Sequence, residues 1–151
     1  MNSTFIGCKS LVNVPAIPSG VTSMESTFSG CESLVNVPDI PSGVTYIYEL
    51  FRDCKSLVNA PAIPSGVTNM TRTFYNCTSL VNAPAIPSAV TGMYSTFRGC
   101  TSLTGEVEIN ASNLTDYSLC FSGTTKPITI TGTTPYKAQI AATATNGNVT
   151  Y

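Results

Sequence analysis

The sequence repeats itself every 23 residues, and this period limits the possible folds more than any other feature. Each copy has a phenylalanine, a cysteine three positions later and a leucine six positions later. The phenylalanines are Phe5, Phe28, Phe51, Phe74 and Phe97, and the cysteines are Cys8, Cys31, Cys54, Cys77 and Cys100. A fixed period of this length is typical of a solenoid, in which each coil buries its apolar side only against its neighbours. We therefore expect these side chains to form stacked columns in one continuous core.

Each coil is predicted to contain a short helix. Apolar residues recur at i, i+3 and i+7, as in Val67, Met70 and Phe74, which is the pattern of a helix of about two turns. A threonine marks each predicted start, and a residue that tolerates left-handed backbone marks each end. The predicted N-caps are Thr22, Thr45, Thr68 and Thr91, and the predicted end residues are Gly7, Gly30, Asp53, Asn76 and Gly99.

A short parallel strand is predicted at Leu57-Val58-Asn59-Ala60 and its equivalents. A proline follows at once in the first four copies, and proline cannot donate a hydrogen bond to the next coil. The inner coils are therefore expected to pair only about three or four residues each. In the fifth copy Glu106-Val107-Glu108-Ile109 replaces the proline-bearing stretch, which restores the donors.

The repeat loosens towards the C-terminus. Phe121 comes one residue late, Cys120 lies directly before it, and Thr124 occupies the expected cysteine position. Strands are predicted at residues 128–130 and 148–151, and a helix is predicted to start at Thr133 or Thr134 and to bury Tyr136, Ile140 and Ala144. We expect residues 1–103 to be tandem repeats and residues 104–151 to be degenerate repeats that form a C-terminal cap of the same domain.

The unit Phe-x-x-Cys-x-Ser-Leu, followed by Ile-Pro-x-x-Val-Thr-x-Met and complete from Phe51, resembles the BspA-like branch of leucine-rich repeat proteins over residues 1–103. The resemblance implies an α/β solenoid, a leucine-rich-repeat-like right-handed coil with short parallel strands, short helices and a C-terminal cap. The family is known mostly as secreted or surface-attached bacterial proteins, and some members are adhesins. It therefore implies an extracellular or cell-surface location for the full-length protein, and a protein or glycan partner on a host or neighbouring cell.

The composition gives little support for a catalytic, nucleic-acid-binding or membrane-spanning protein. Charged residues make up 10% of the chain and the net charge is -1, which favours neither nucleic acid nor anionic lipid as a partner, and no apolar run is long enough for a membrane span. There is no histidine, and Glu106 and Glu108 are interpreted as solubilising rather than catalytic. We predict a non-enzymatic protein without a metal or cofactor.

Two further columns have a structural interpretation. The cysteines are expected to be small buried fillers with free thiols, and disulfides between neighbouring coils are the alternative. A second column is expected to form a side-chain hydrogen-bond ladder rather than a ligand site, and its members are Asn13, Asn36, Asn59 and Asn82. The valine row at Val12, Val35, Val58 and Val81 is a possible apolar contact stripe.

The candidate binding surface consists of positions that differ between the copies and that carry tyrosine or arginine. These residues are Tyr46, Tyr48, Arg52, Arg72, Tyr75, Tyr94 and Arg98. Tyrosine and arginine are enriched in recognition surfaces, and the alternative is that these positions are merely solvated. The predicted function is a binding or adhesion module of a bacterial surface or secreted protein.

The alternative function is a structural or assembly module, for example in a phage fibre or a surface layer. Met1 occupies the repeat position held by Met24, so the chain begins inside a coil and is expected to be a piece of a longer protein. The alternative is a complete small protein whose open first coil docks on another molecule. The first coil would then stack on further repeats or on a second copy.

Overall fold

Successive copies of the repeat stack in register along one axis. The structure, a computed structural model, describes residues 1–151. We number the coils by their phenylalanine, from coil 1 at Phe5 to coil 6 at Phe121. The six rings form one column with centroid separations of 5.6, 5.8, 5.6, 5.6 and 5.5 Å between consecutive coils. From Phe28 onwards every ring is fully buried, whereas Phe5 is half-buried. The solenoid predicted from the period is confirmed.

The predicted helices of the inner coils are wrong. The segment that leads into each phenylalanine is a pair of overlapping tight turns, as shown by the Thr27 N–H to Met24 oxygen and Ser29 N–H to Ser26 oxygen bonds of 3.2 and 3.1 Å. The next N–H groups along the chain donate to the following coil instead, including that of Phe28 to the Leu50 oxygen at 3.0 Å. Because the backbone is paired between coils, it cannot also form the i to i−4 bonds of a helix.

Left-handed residues explain why the turns do not continue into helices. The five predicted positions Gly7, Gly30, Asp53, Asn76 and Gly99 have φ of 71°, 76°, 59°, 57° and 75°, which confirms their conformation. A second left-handed column, which the sequence pattern did not predict, lies four residues earlier in each coil. It comprises Ser3, Ser26, Glu49, Arg72, Ser95 and Leu119. A left-handed residue in the middle of the segment ends any right-handed helical path.

The predicted threonine caps have a different role, since no helix begins there. The Thr45 N–H donates to the Thr22 oxygen at 3.0 Å, and the Thr91 N–H to the Thr68 oxygen at 2.8 Å. The Thr91 hydroxyl also donates to the Thr68 oxygen at 3.2 Å. The threonines therefore link neighbouring coils.

Regular strands and the one α-helix lie in the C-terminal third. Strand β1 spans Gly105–Glu108, β2 spans Ile128–Thr131, helix α1 spans Lys137–Ala141, and β3 spans Val149–Thr150. The strands form a parallel sheet in the order β1-β2-β3, with Val107 opposite Ile130 and Ile128 opposite Val149. The predicted strands in coil 5 and at residues 128–130 and 148–151 are confirmed. A helix does form in the predicted region, but it is shorter than predicted and begins after Tyr136 rather than at Thr133 or Thr134. Of its predicted buried face only Ile140 is fully buried, whereas Tyr136 and Ala144 are half-buried.

Pairing on the strand side of the inner coils is shorter than predicted. It is reduced to single bridges, Asn13 to Asn36 and Asn59 to Asn82, rather than three or four paired residues. The prolines that follow remove the next donors. The side chains add bonds at both bridges, because the Asn36 Nδ2 donates to the Asn13 Oδ1 at 3.0 Å and the Asn82 Nδ2 to the Asn59 Oδ1 at 2.9 Å. The neighbouring valines Val12, Val35 and Val58 are 45%, 41% and 39% exposed, so this side carries an apolar row.

The cysteine column lies inside the core and contains no disulfide. All six cysteines are free thiols, and all except Cys8 are buried. The Sγ atoms of Cys31, Cys54, Cys77 and Cys100 each donate to the phenylalanine oxygen of the preceding coil, at 3.1, 3.1, 3.0 and 3.0 Å. Burial raises the pKa of Cys31 to about 11 and of Cys120 to about 12, and it raises the pKa of Cys77 well above its usual value.

The buried thiols should therefore be inert in the native protein, because the thiolate is the nucleophile and both burial and the raised pKa suppress it. Iodoacetamide at pH 8 is expected to add one group, at Cys8, before unfolding and six groups in denaturant. Intact-mass spectrometry counts the adducts, and Cys8→Ser is the control that should take up none while folded. Rapid modification of Cys77 in the native protein would contradict this packing.

Candidate binding surface

The turn segments of coils 3 to 5 bring the variable tyrosines and arginines onto one outer side. We call Tyr46, Tyr48, Arg52, Arg72, Tyr75, Tyr94 and Arg98 the tyrosine–arginine surface. Tyr48 and Tyr94 lie in one row, three residues before the phenylalanines, and Arg52, Tyr75 and Arg98 lie in a second row, one residue after them. The second left-handed column, which contains Glu49 and Arg72, runs between these two rows. The side chains of Glu49 and Arg72 therefore lie among the tyrosines. All seven predicted residues are connected by the contacts described below.

Glu49 anchors the surface. Its side chain is only 12% exposed, and it accepts hydrogen bonds from two arginines. The Arg52 Nη1 lies 3.2 Å from the Glu49 Oε2, and the Arg72 Nη1 from the next coil lies 3.1 Å from the Glu49 Oε1. The Arg72 Nη1 also donates to the Tyr48 hydroxyl at 3.3 Å. Glu49 therefore holds Arg52 and Arg72 in fixed positions.

The pKa of Glu49 is lowered. Burial acts to raise it, but the hydrogen bonds from Arg72, Tyr48 and Arg52 outweigh this effect together. A carboxyl whose pKa is lower in the folded than in the unfolded protein stabilises the fold above the unfolded pKa, and this stabilisation is lost as the pH falls through the folded pKa.

Glu49→Gln is expected to reduce the acid sensitivity of the fold. Between about pH 5 and pH 3 the wild type should lose on the order of 0.5–1 kcal/mol more unfolding free energy than the variant, because the ion pairs are partly solvated. Urea titrations followed by circular dichroism at several pH values measure this difference. Glu106→Gln, which removes an exposed carboxylate with no ion pair, is the control. Identical pH slopes for the wild type and the Glu49 variant would contradict the network.

The aromatic rings are held by cations. The Tyr75 ring has two guanidinium groups near it, with the Arg52 Cζ 5.5 Å and the Arg98 Cζ 5.8 Å from its centroid. The Arg72 Cζ lies 5.4 Å from the Tyr94 centroid. Tyr46 is joined through its stacked contact with Tyr48, at 6.4 Å between centroids. Such cation–π contacts order long side chains that would otherwise be mobile.

Arg98 differs from the other two arginines because no carboxylate lies within ion-pair distance of it. Both oxygens of Glu49 are bonded to Arg72 and Arg52. Both oxygens of Asp53 are also used, since the Asn76 Nδ2 donates to its Oδ1 at 3.1 Å and the Arg52 Nε donates to its Oδ2 at 3.2 Å. Glu49 and Asp53 thus bond to Arg52 and Arg72 but not to Arg98. Glu25, the acid of the preceding coil in the row of Tyr48, lies beside Tyr46 at the other end of the surface. Arg98 is therefore the one arginine of this surface without a paired carboxylate.

Sequence reasoning missed the role of Glu49 and Asp53. Glu49 stands three residues before Arg52 and one full repeat before Arg72, and this spacing was the available signal. Ser95 was also missed. It is 1% exposed in the left-handed column, and its hydroxyl has no hydrogen-bond partner.

The remaining surface has few features of a reactive site. The Asn110 Nδ2 donates to Glu108 at 2.9 Å, and Glu106 is exposed. An open cleft of about 460 Å³ lies at the proline corner of coils 1 and 2, lined by Ile17, Pro38, Asp39 and four further residues. No group of three or more cysteine, aspartate or glutamate side chains is arranged to hold a metal ion. The single helix, Lys137–Ala141, is far shorter than a membrane-spanning helix.

The family follows from the repeat itself. A family profile described as a BspA type leucine-rich repeat region matches residues 1–104 in six copies. The chain belongs to the BspA-type leucine-rich repeat family. No curated protein sequence matches it significantly. Proteins of this family are repeat scaffolds, and their leucine-rich repeats generally serve protein interaction and repeat stacking rather than catalysis.

Two solved structures of leucine-rich repeat proteins have a fold similar to that of this chain. A leucine-rich repeat protein of T. pallidum is similar with a TM-score of 0.66 and 24% identity, over 89% of this chain and 62% of that one. A leucine-rich repeat protein from Bacteroides ovatus is similar with a TM-score of 0.58 and 21% identity, over 86% of this chain and 46% of that one. The chain thus spans less than two thirds of either protein, and at these identities the likeness establishes the fold alone.

Proposed function

We propose that this chain is a non-enzymatic binding module that contacts a protein partner through the tyrosine–arginine surface. The observation that carries the proposal is the fixed position of Tyr75 between Arg52 and Arg98. Ordered tyrosines and arginines lose little conformational entropy when a partner binds, which is why they dominate the energetics of interfaces.

The finer parts of the proposal are adhesion and a surface location. They rest on what is typical of BspA-like repeats, which belong mostly to surface or secreted bacterial proteins. On this basis the partner is a protein, or a glycan carried by one, on a host or neighbouring cell.

A binding screen with a surface-directed variant tests the function. The immobilised chain is screened against extracellular-matrix proteins and against the surface proteins of other bacteria. A variant with Tyr48, Tyr75 and Tyr94 changed to serine is expected to bind at least about tenfold more weakly, because interface tyrosines commonly contribute more than 1 kcal/mol each. All three are partly exposed, so circular dichroism should show an unchanged fold.

The matched control changes Val12, Val35 and Val58 to serine on the strand side. These side chains are exposed and lie outside the tyrosine–arginine surface. Equal binding by the tyrosine variant and the wild type, or loss of binding in the valine control alone, would contradict the assignment of this surface.

A second candidate, an assembly module, is favoured by the geometry of coil 1. Phe5 stacks on Phe28 at 5.6 Å but remains half-buried, and the Cys8 thiol is exposed, unlike its buried equivalents. A further coil, from additional repeats or from a second copy, would cover both the Phe5 ring and the Cys8 thiol. Light scattering is expected to show concentration-dependent association that Phe5→Ser reduces, and a monomer at all concentrations would argue against this role.

A further inference from the structure

We propose that the partner segment bound by the tyrosine–arginine surface is acidic, and that Arg98 receives its carboxylate. This inference rests on the proposed function and adds the chemistry of the ligand. It concerns an acidic peptide segment of a protein.

The first argument is the pairing of charges. Arg52 and Arg72 both donate hydrogen bonds to Glu49. The other nearby carboxylate, Asp53, accepts hydrogen bonds at both of its oxygens, from Arg52 and Asn76. Arg98 has no such partner and is partly exposed. Among the surface cations elsewhere, Lys9 and Lys55 both pair with Glu32, at 3.1 and 3.0 Å. Arg98 is thus the one cation of the tyrosine–arginine surface that is available to an incoming anion.

The second argument is the position of the guanidinium. Its Cζ lies 5.8 Å from the Tyr75 centroid, so its direction is set before a ligand arrives. A guanidinium presents a planar fork of N–H donors that matches a carboxylate, and the two parallel hydrogen bonds add geometric specificity. In the same row, coil 6 carries the uncharged Ser122, so the residue that follows Arg98 in this row adds no negative charge. The acid of that coil, Asp116, lies in the column of Tyr46 and accepts a hydrogen bond from the Ser118 N–H at 2.9 Å.

The third argument separates an acidic peptide from a polyanion. A nucleic acid or a densely charged polysaccharide is bound by several unpaired cations, because each contact releases counterions. Here a single arginine without a carboxylate partner, Arg98, lies among four tyrosines. One carboxylate beside apolar or aromatic side chains fits this arrangement, as in a peptide with an aspartate or glutamate next to a hydrophobic residue.

The experiment uses peptides as the probe. A random 12-residue library displayed on phage is selected on the immobilised chain, and the selected peptides are synthesised together with versions in which Asp or Glu is replaced by Asn or Gln. Arg98→Gln removes the cation, Arg98→Lys keeps the charge without the fork, and Lys126→Gln removes one positive charge outside the surface. Isothermal calorimetry gives the dissociation constants.

We expect the selected peptides to share an acidic residue, and Arg98→Gln to weaken binding by about tenfold. The amide peptides should bind the wild type about tenfold more weakly, and Arg98→Gln should not weaken them further, as a pairwise contact requires. Arg98→Lys should recover part of the affinity, and Lys126→Gln should leave it unchanged.

Three results would overturn the inference in different ways. Binding that depends on Tyr48, Tyr75 and Tyr94 but has the same dissociation constant with Arg98→Gln would leave the surface as a binding site. It would refute the proposal that the ligand is acidic. If the peptides bind equally to the variant in which those tyrosines are serines, the proposed function fails as well. An equal loss with Arg98→Gln and Lys126→Gln would mean unspecific attraction and would also refute a site at Arg98.

Discussion

Replacing Phe74 with alanine is expected to lower the free energy of unfolding by about 3–5 kcal/mol, the range found for a buried phenylalanine whose cavity does not collapse. Phe74 is fully buried, and its ring stacks between those of Phe51 and Phe97 at 5.6 Å on each side. Its carbonyl oxygen also accepts the Cys100 thiol hydrogen bond at 3.0 Å. A cavity here therefore weakens the contacts of coil 4 with both of its neighbours.

Because each coil contacts only its neighbours, Phe74→Ala should also divide the unfolding into two steps, one for the coils on each side. Urea unfolding followed by circular dichroism measures both the stability and the shape of the transition. Val58→Ala is the control, since that side chain is 39% exposed on the valine row and should change stability by less than about 0.5 kcal/mol. A loss for Phe74→Ala as small as that for Val58→Ala would show that the phenylalanine column does not hold the coils together.

Gly132→Ala should be the second severe substitution, with an expected loss of about 2–4 kcal/mol or failure to fold. Gly132 follows β2 with a φ of 86°, which side-chain-bearing residues rarely adopt. An added Cβ would lie 2.5 Å from the Ile109 oxygen and 2.8 Å from the Ile109 carbon and nitrogen. These are backbone atoms of the adjacent coil, so no rotamer change relieves the clash.

Two further glycines separate the contributions to this loss. Gly105 has a φ of 80° and open space around it, so Gly105→Ala should show only the backbone strain, about 1 kcal/mol. Gly20 has open space and no positive φ, so Gly20→Ala should be neutral or stabilising by up to about 1 kcal/mol. Thermal unfolding of the three variants gives the comparison. Equal effects of Gly132→Ala and Gly105→Ala would contradict the close approach to Ile109.

The core was predictable because stacking in register makes every copy repeat the same burial. Phe51, Cys54 and Leu57 are fully buried, as are the equivalent residues of coils 2, 4 and 5. The helices were not predictable from the same pattern. Val67, Met70 and Phe74 fall on one face of a helix, but a pair of tight turns with Arg72 in a left-handed conformation buries the same three residues. Spacing alone does not distinguish these two paths of the backbone.

The candidate surface was predictable as a set of variable positions, whereas its pairing was not. The contacts of Glu49 with Arg52 and Arg72 depend on side-chain direction at two left-handed residues in adjacent coils. A single sequence does not report that direction. Which arginine is left without a carboxylate therefore became clear only from the three-dimensional arrangement.

The hydrogen bonds between coils point in two directions, and this has a consequence for the length of the array. In the turn segments the N–H groups point to the following coil, as from Met24 to the Tyr46 oxygen at 2.9 Å, whereas on the strand side Val35 donates back to the Val12 oxygen at 3.1 Å. The peptide dipoles of the two sides are therefore opposed and partly cancel, unlike those of an α-helix, whose dipoles add along the axis. Adding or removing whole coils then builds up little charge at the ends of the rod, so copy number can vary with little electrostatic effect on the coils that remain.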